Sequence, residues 1–281
     1  MKQSLGRISA IAGNTLRELT RLKVFYFLLL FALVLIGSSV FVARFSFQQE
    51  LPVLKDISLG AISIFTSVLA IVASARLLPQ DVEDRTVYTI LAKAVPRFEY
   101  LLGKLLGVLL LLAISTIVMA ALFFALLWMR QQSAIAEASR ESADAVRAVR
   151  DAGMNMNVAY AVIAIFIKAA VLASLTLFIS TFATSTIFTM VVAVFAYFIG
   201  HLQSTAREFW LQEQGAGWIA RTFLACVALV FPDLQLFTFN DQVVAGAAIP
   251  NSLWLEAVSI GVFYIMIYTL LAQAIFAKRE L

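Results

Sequence analysis

Long runs of apolar residues, separated by short polar stretches, dominate this chain. Five of the runs are long enough to cross a hydrocarbon layer of about 30 Å as α-helices. They cover residues 24–43, 57–75, 105–129, 158–180 and 252–277. A sixth run, 187–201, reaches the necessary length if it continues to Ala206. The pattern therefore predicts an all-α integral membrane protein, with six transmembrane helices in a single domain that covers residues 1–281.

A further apolar run, at 218–231, is short and contains Arg221. Runs of this length are more typical of re-entrant or interfacial segments than of complete spans. Pro232, which interrupts helices, follows the run directly, and Pro250 stands just before the last span. We expect the region 208–250 to lie on the extracytoplasmic side, with 218–231 either re-entrant or interfacial.

The N-terminal residues 4–22 have the periodicity of an amphipathic helix. At about 100° per residue, one side of this helix is apolar and the other is polar. The apolar side holds Leu5, Ile8, Ile11, Ala12, Leu16 and Leu19, and the polar side holds Arg7, Asn14, Arg17, Glu18 and Arg21. A helix of this kind lies in the headgroup plane with its apolar side toward the lipid. It serves either as a simple anchor or as a support that positions the first span.

A compact polar island separates the second apolar run from the third, with room for one short helix and two turns. Acidic residues, which favour the start of a helix, open it at Asp81, Glu83 and Asp84. Apolar residues at helical spacing follow at Val87, Ile90, Leu91 and Val95. Pro96 then ends the helix. The loop 79–103 is therefore predicted to hold a small amphipathic helix at the membrane surface, where another protein can push on it.

Positive charge near the ends of the spans indicates the orientation of the chain. If the N-terminus is cytoplasmic, twelve lysines and arginines lie on the cytoplasmic side and eight lie on the other. Four of those eight belong to the insertion 130–157, where acidic residues balance them. The bias favours a multi-pass protein of the cell (inner or plasma) membrane with both termini in the cytoplasm.

The insertion 130–157 is rich in Ala, Arg and Glu. Its small residues recur at helical spacing and would form a weakly packed seam. We expect a helical extension of the third span on the outer side, which ends near Gly153. It is either a solvated helix or a contact arm for an extracytoplasmic accessory protein or a substrate.

Composition agrees with a membrane protein and excludes several kinds of chemistry. The chain is 62% hydrophobic and 14% charged, whereas soluble domains are about 45–50% apolar and about 25% charged. One cysteine and one histidine exclude an internal disulfide framework and a metal site of several thiolates or histidines. The net charge of +4 needs no nucleic acid, because the basic residues concentrate at membrane edges. The first 23 residues lack a cleavage pattern, so we expect no removable signal peptide.

Catalysis by this chain is not expected, because it has no nucleophile elbow, zinc-protease motif or P-loop. If ATP drives the protein, another chain must therefore bind it. Lys168 stands near the middle of the fourth span, where a charge costs roughly 2.5–3.5 kcal/mol. It must face the bundle interior or a watery cavity, or lose its proton. Its role is either structural, paired to a carbonyl or a carboxylate of a neighbouring span, or that of a substrate or gating residue along a pathway. His201 is either an interfacial hydrogen-bonding residue or part of the same pathway.

Three segments resemble one transporter family. Residues 14–21 (Asn-Thr-Leu-Arg-Glu-Leu-Thr-Arg) are similar to its N-terminus, and residues 96–104 (Pro-Arg-Phe-Glu-Tyr-Leu-Leu-Gly-Lys), after the acidic start of the island, resemble its first cytoplasmic loop. Residues 231–237 (Phe-Pro-Asp-Leu-Gln-Leu-Phe) look like a segment before its last span. The family is that of the ABC-2 type transporter permeases, the membrane subunits of ATP-binding-cassette exporters.

The resemblance implies a working unit of two permease copies and two ABC ATP-binding subunits in the lipid bilayer. ATP and magnesium would be held by the ATPase partner, and no cofactor would be bound by this chain. In that family the first cytoplasmic loop carries a coupling helix that docks on the ATPase. The matching residues here, which we expect to meet the ATPase, are Asp81, Glu83, Asp84, Arg85, Thr86, Ile90 and Leu91. Those expected to form the hinge into the third span are Pro96, Arg97, Gly103, Lys104 and Gly107.

Other functions stay open on the sequence alone. The permease is expected to export a lipidic, amphipathic or otherwise unknown substrate, which suits a Phe-rich bundle with few buried charges. Alternatively, the subunit transmits force to an outer partner without classical transport. An ion-driven secondary carrier would need buried carboxylates, which the spans nearly lack, and an intramembrane enzyme would need a cluster of reactive groups.

Overall fold

A computed structural model describes residues 2–45, 50–83, 96–140, 142–212, 222 and 230–278. Throughout these ranges the regular structure is helical. The elements in chain order are α1 (Lys2–Thr20), α2 (Lys23–Arg44), α3 (Glu50–Glu83), α4 (Arg97–Ala138), α5 (Ala143–Ala152), α6 (Met156–Phe182), α7 (Thr186–Gln212), a 3-10 turn (Leu234–Phe237), α8 (Asn240–Val244) and α9 (Asn251–Lys278). Of the described helices, six are long and apolar enough to cross a membrane, namely α2, α3, α4, α6, α7 and α9. The predicted multi-pass, all-α architecture is confirmed at this level.

The second and third spans are longer than the apolar runs that predicted them. The hydropathy pattern begins the second span at residue 57, whereas α3 begins at Glu50 and includes Lys55. The helix continues through this lysine because its side chain is buried and donates a hydrogen bond to the carbonyl oxygen of Val243 in α8, over 3.4 Å. At its other end α3 passes through Pro79, which has no N–H to offer the carbonyl of Ala75.

Two helices form the centre of the bundle. The most apolar parts of α6 and α3 are mostly buried, whereas those of α2, α7 and α9 are mostly exposed. Small residues on α6, among them Ala161, Ala169 and Ala173, lie fully buried and allow neighbouring helices to approach closely. The outer helices present leucine, valine and phenylalanine side chains on the outside, as expected for surfaces that contact lipid.

The helices alternate in direction, so the bundle has two distinct ends. The α1 end is formed by α1, the last turn of α3, the first turns of α4 and the last turn of α9, where Arg97 donates a hydrogen bond to the carbonyl oxygen of Ala277 over 2.7 Å. The opposite end, here the far end, holds α5, α8 and an ion pair between Arg130 and Glu50. The two terminal helices therefore share one end of the bundle. Its assignment to the cytoplasm remains a prediction.

The insertion after α4 contains one more break than expected. We predicted a single helix that extends the third span and ends near Gly153, but α4 ends at Ala138 and a separate helix, α5, follows. The break is local: the side chain of Ser142 accepts a hydrogen bond from the amide of Ala145 and so caps the start of α5. Helix α5 has no buried residue. It ends before Gly153, as predicted.

Residues 230–239 run against the middle of the bundle instead of over its surface. Tyr268, within α9, donates a hydrogen bond to the carbonyl oxygen of Val230 over 2.8 Å. Leu234 and Phe237, in the 3-10 turn, are buried. A Cβ atom on Gly200 of α7 would lie 2.8 Å from the carbonyl oxygen of Pro232, so α7 makes room for this segment by having a glycine. Most of the predicted re-entrant or interfacial segment 218–231 lies outside the described residues.

Candidate functional site

A buried ion pair joins α3 to α4 at the α1 end. The Nζ atom of Lys104 lies 2.7 Å from Oδ2 of Asp81, and the two residues are only 4% and 6% exposed. The hydroxyl of Tyr100 donates a hydrogen bond to the same carboxylate oxygen. Tyr100 and Lys104 stand four residues apart and therefore lie on one side of α4. The carboxylate thus holds two side chains of the neighbouring helix.

Helix α1 joins this pair and closes over it. Oε2 of Glu18 lies 3.6 Å from Nζ of Lys104, so the ammonium stands between two carboxylates on two different helices. Glu18 is partly exposed, and its contribution is screened more than that of Asp81. We name Glu18, Asp81, Tyr100 and Lys104 the junction cluster.

Two glycines allow α1 to pack closely on α4. A Cβ atom on Gly107 would lie 2.6 Å from Cβ of Thr15 and 2.9 Å from the carbonyl oxygen of Ala12. A Cβ atom on Gly103 would lie 2.7 Å from Cβ of Ile11. The spacing of four residues puts both glycines on one side of α4, where only a residue without a side chain permits this distance between backbones.

A second ion pair fixes the start of α1 to α4. Arg7 donates hydrogen bonds from Nε and Nη2 to the two carboxylate oxygens of Glu99, over 2.7 and 3.0 Å. The hydroxyl of Ser4 donates to the same carboxylate over 2.7 Å. A bidentate pair of this kind is geometrically specific. Together with the junction cluster, it holds both ends of α1 against the first turns of α4.

The apolar side of α1, which we expected to face lipid, is thus covered by protein over its central part. Ala12, Thr15 and Leu19 are buried, while Leu5 is exposed. Periodicity shows that one side of a helix is apolar and will be buried, and either a neighbouring helix or lipid can bury it. Arg17 and Arg21 stay exposed.

The predicted hinge residues lie together around the start of α4. Pro96 is the residue immediately before the first turn of α4. Arg97 donates hydrogen bonds to the carbonyl oxygens of Phe276 and Ala277, over 3.0 and 2.7 Å, and so ties the start of α4 to the end of α9. A cation near the C-terminus of a helix is also favoured by the helix dipole.

The residues predicted to meet an ATPase divide into two groups. Asp81 is buried and pairs with Lys104, so its carboxylate contacts a residue of this chain and is not exposed to a partner protein. Glu83 is exposed at the end of α3. The others, Asp84, Arg85, Thr86, Ile90 and Leu91, lie outside the described residues. Beside Glu83, a polar cavity of about 350 Å³ opens between α3 and α7, lined by Arg76, Gln80, Glu83, Thr186 and Met190.

Lys168 faces the interior, as predicted. It is 1% exposed and donates a hydrogen bond over 2.5 Å to the hydroxyl of Ser63, whereas the structural alternative paired it with a carbonyl or a carboxylate. Sequence reasoning missed Ser63, because an isolated serine in an apolar run is common. Sequence reasoning also missed Lys55, whose buried ammonium was placed outside the membrane.

His201 lies on α7 near the same depth. Its ring contacts that of Tyr197 at a tilt of 39°, with the centroids 4.5 Å apart, and Gln235 donates a hydrogen bond to its carbonyl oxygen over 2.8 Å. Its Nδ1 atom is buried without a hydrogen-bond partner. In the part of the chain that the structure describes, no three His, Cys, Asp or Glu side chains come together in a way that could hold a metal ion.

Comparison with known proteins does not assign this chain to a family. No family model matches it. No curated protein matches it either.

Proposed function

We propose that this chain is the membrane-spanning permease subunit of an ATP-driven ABC-2 type transporter. A separate ATPase, present in two copies and holding ATP and magnesium, would act on the loop 79–103 of each of two permease copies. The support is the resemblance of the three sequence segments, together with the six-span architecture and the construction of the α1 end.

The single observation that carries the proposal is the junction cluster. The chain between Glu83 and Pro96 connects α3 to α4, and the ion pair between Asp81 and Lys104 joins these two helices next to that connection. A protein that receives work on a loop needs the flanking helices to move together, because otherwise the displacement is lost in separating them. A buried pair serves this purpose, since breaking it leaves an uncompensated charge and costs about 3–5 kcal/mol.

Helix α1 extends this connection. It is fixed at one end by Glu99 and at the other by the junction cluster, and Gly103 and Gly107 hold its middle against α4. A displacement of the loop would therefore move α1, the last turn of α3 and the first turns of α4 together. In the proposed cycle, closure of the ATPase subunits moves these parts and changes a path between the two permease copies.

Affinity purification of the tagged full-length chain from its native membrane tests the proposal. We expect a P-loop ATPase to co-purify with it, in equal stoichiometry. Reversing two charges of the loop, Glu83→Lys with Arg85→Glu, should reduce the recovered ATPase at least tenfold while membrane insertion is unchanged.

A matched control reverses an exposed pair at the far end, Asp144→Lys with Arg147→Glu, whose side chains lie 3.7 Å apart on α5. This variant should recover as much ATPase as the unmodified chain. If no ATPase co-purifies, or if the two double variants behave alike, the proposal is wrong.

A further inference from the structure

Lys168 occupies the middle of the bundle in depth. It stands twelve residues after Met156 and fourteen before Phe182 in α6, which corresponds to about 18–21 Å from either end of the helix. Its hydrogen-bond acceptor, Ser63, belongs to α3. The two most buried helices of the bundle thus meet through this contact.

The contact leaves a positive charge without a counter-charge. Among the described residues, the ion pairs of buried lysines involve Lys104, and no carboxylate lies within 4.0 Å of the Lys168 ammonium. An ammonium has three hydrogens, of which Ser63 accepts one. Ser63 is the hydrogen-bond partner that the described residues give this ammonium, so its other two hydrogens are free to meet an acceptor.

The site is therefore rich in donors and positive in charge, inside an apolar surrounding. Ala164, Ile165 and Leu172, on the same helix, are buried beside it. An isolated charge in such a place costs several kcal/mol, and an anion that accepts the free hydrogens would offset this cost.

We propose that Lys168 and Ser63 bind the anionic group, a phosphate or a carboxylate, of an amphiphilic substrate with an apolar chain. The inference rests on the proposed function, since it names the substrate class of that permease. A bare anion would have to give up all its water to reach this depth, whereas an amphiphile has an apolar body that already partitions into the membrane. Lys55 differs because it contacts the carbonyl oxygen of Val243 and lies near the far end.

The test is the binding of dodecyl phosphate to the purified full-length chain in a neutral detergent, without any ATPase, measured by calorimetry. Laurate carries a carboxylate on a similar chain, and inorganic phosphate has no apolar body. We expect dodecyl phosphate or laurate to bind and inorganic phosphate not to bind at the same concentration.

Lys168→Met should weaken this binding by about tenfold or more, because it removes a charge-assisted hydrogen bond. Ser63→Ala keeps the charge and should weaken binding severalfold. The matched control, Lys55→Met, removes a second buried ammonium for which no ion pair is found among the described residues, and this variant should bind as the unmodified chain does.

Melting temperatures without ligand separate binding from folding. Lys168→Met should melt at or above the temperature of the unmodified chain, since it removes a buried cation. Four results would each overturn the inference: no binding of either amphiphile, equal binding by Lys168→Met, equal loss in Lys55→Met, or tight binding of inorganic phosphate alone. Because no ATPase is present, failure here is distinct from failure of the co-purification experiment.

Discussion

Among the described residues, three buried lysines meet three different kinds of partner. Lys104 contacts the carboxylate of Asp81, Lys55 contacts a backbone carbonyl, and Lys168 contacts a hydroxyl. Only the first partner neutralises the ammonium, so the energetic consequence of removing each lysine differs. By contrast, the pair between Arg147 and Asp144 on α5 is almost fully exposed and contributes little.

The ion pair of the junction cluster allows a sharp prediction. Lys104→Met leaves the carboxylate of Asp81 buried without its cation, which should lower the free energy of unfolding by about 3–5 kcal/mol. The double variant that adds Asp81→Asn should recover most of this loss, because it removes the stranded charge. Reversible unfolding in detergent and SDS measures the free energy of unfolding of the unmodified chain, of Lys104→Met and of the double variant.

Arg147→Met is the matched control, because its charge is exposed and its loss should change stability by no more than about 0.5 kcal/mol. A Lys104→Met variant as stable as this control, or a double variant less stable than Lys104→Met alone, would contradict the interpretation of a buried pair that locks α3 to α4.

At the scale of elements, close packing at glycines decides how α1 and the segment 230–239 are held. Gly103 and Gly107 bring α4 against α1, and Gly200 brings α7 against the backbone of Pro232. In each case the neighbour that a side chain would meet includes a backbone oxygen, which cannot rotate away. These glycines therefore determine the position of a whole element.

Gly107→Ala should displace α1 from α4. The added methyl group would stand 2.9 Å from the Ala12 carbonyl oxygen, and overpacking of this kind costs about 1–3 kcal/mol. Gly60→Ala in α3 is the control, because nothing lies within 4 Å of its added Cβ atom. Thermal unfolding should show a loss for the first variant and none for the second; equal melting temperatures would refute the close approach.

Gly200→Ala should loosen the segment that contains Pro232 while α7 remains helical. We expect faster hydrogen exchange in residues 230–239, measured by mass spectrometry, because the segment loses its contact with α7. Gly37→Ala, in open space on α2, serves as the comparison. Unchanged exchange in Gly200→Ala would show that the segment is held in place by other contacts.

The sequence predicted the number and order of the spans well, because a continuous apolar run of this length is typical of a membrane-crossing helix, whether lipid or other helices surround it. It predicted their ends less well. An apolar run ends at the first charged residue, whereas the helix continues through Lys55 because a carbonyl oxygen accepts a hydrogen bond from its ammonium. The partner of α1 could not be predicted, because an apolar helical side does not specify whether lipid or protein will cover it. Glycine spacing at Gly103 and Gly107 was the available signal for that contact.

At the scale of the whole molecule, the ion pairs of the described residues lie at the two ends of the bundle. The α1 end carries the junction cluster and both terminal helices, and the far end carries the pair of Arg130 with Glu50. Lys168 and Ser63 lie between the ends. An asymmetric distribution of this kind suits a protein that receives work at one end, which is the role proposed above.

Cysteine labelling tests the orientation of the whole bundle. In a Cys226→Ser background, which removes the sole native cysteine, Glu83→Cys should react with a membrane-impermeant maleimide only after the cells are permeabilised. Asp144→Cys, on exposed α5, should react in intact cells. The opposite result would place the α1 end outside the cell, where no ATPase has access to it.

The proline near the end of α3 has a mechanical consequence. Because Pro79 has no amide N–H, the final turn of α3 has one backbone hydrogen bond fewer than the turns before it. A force applied beyond Glu83 therefore bends the helix first at Pro79. Asp81 stands just past Pro79 and is tethered to Lys104. When this last turn of α3 tilts, it would consequently pull α4 with it. A displacement applied to one helix would thus move two helices.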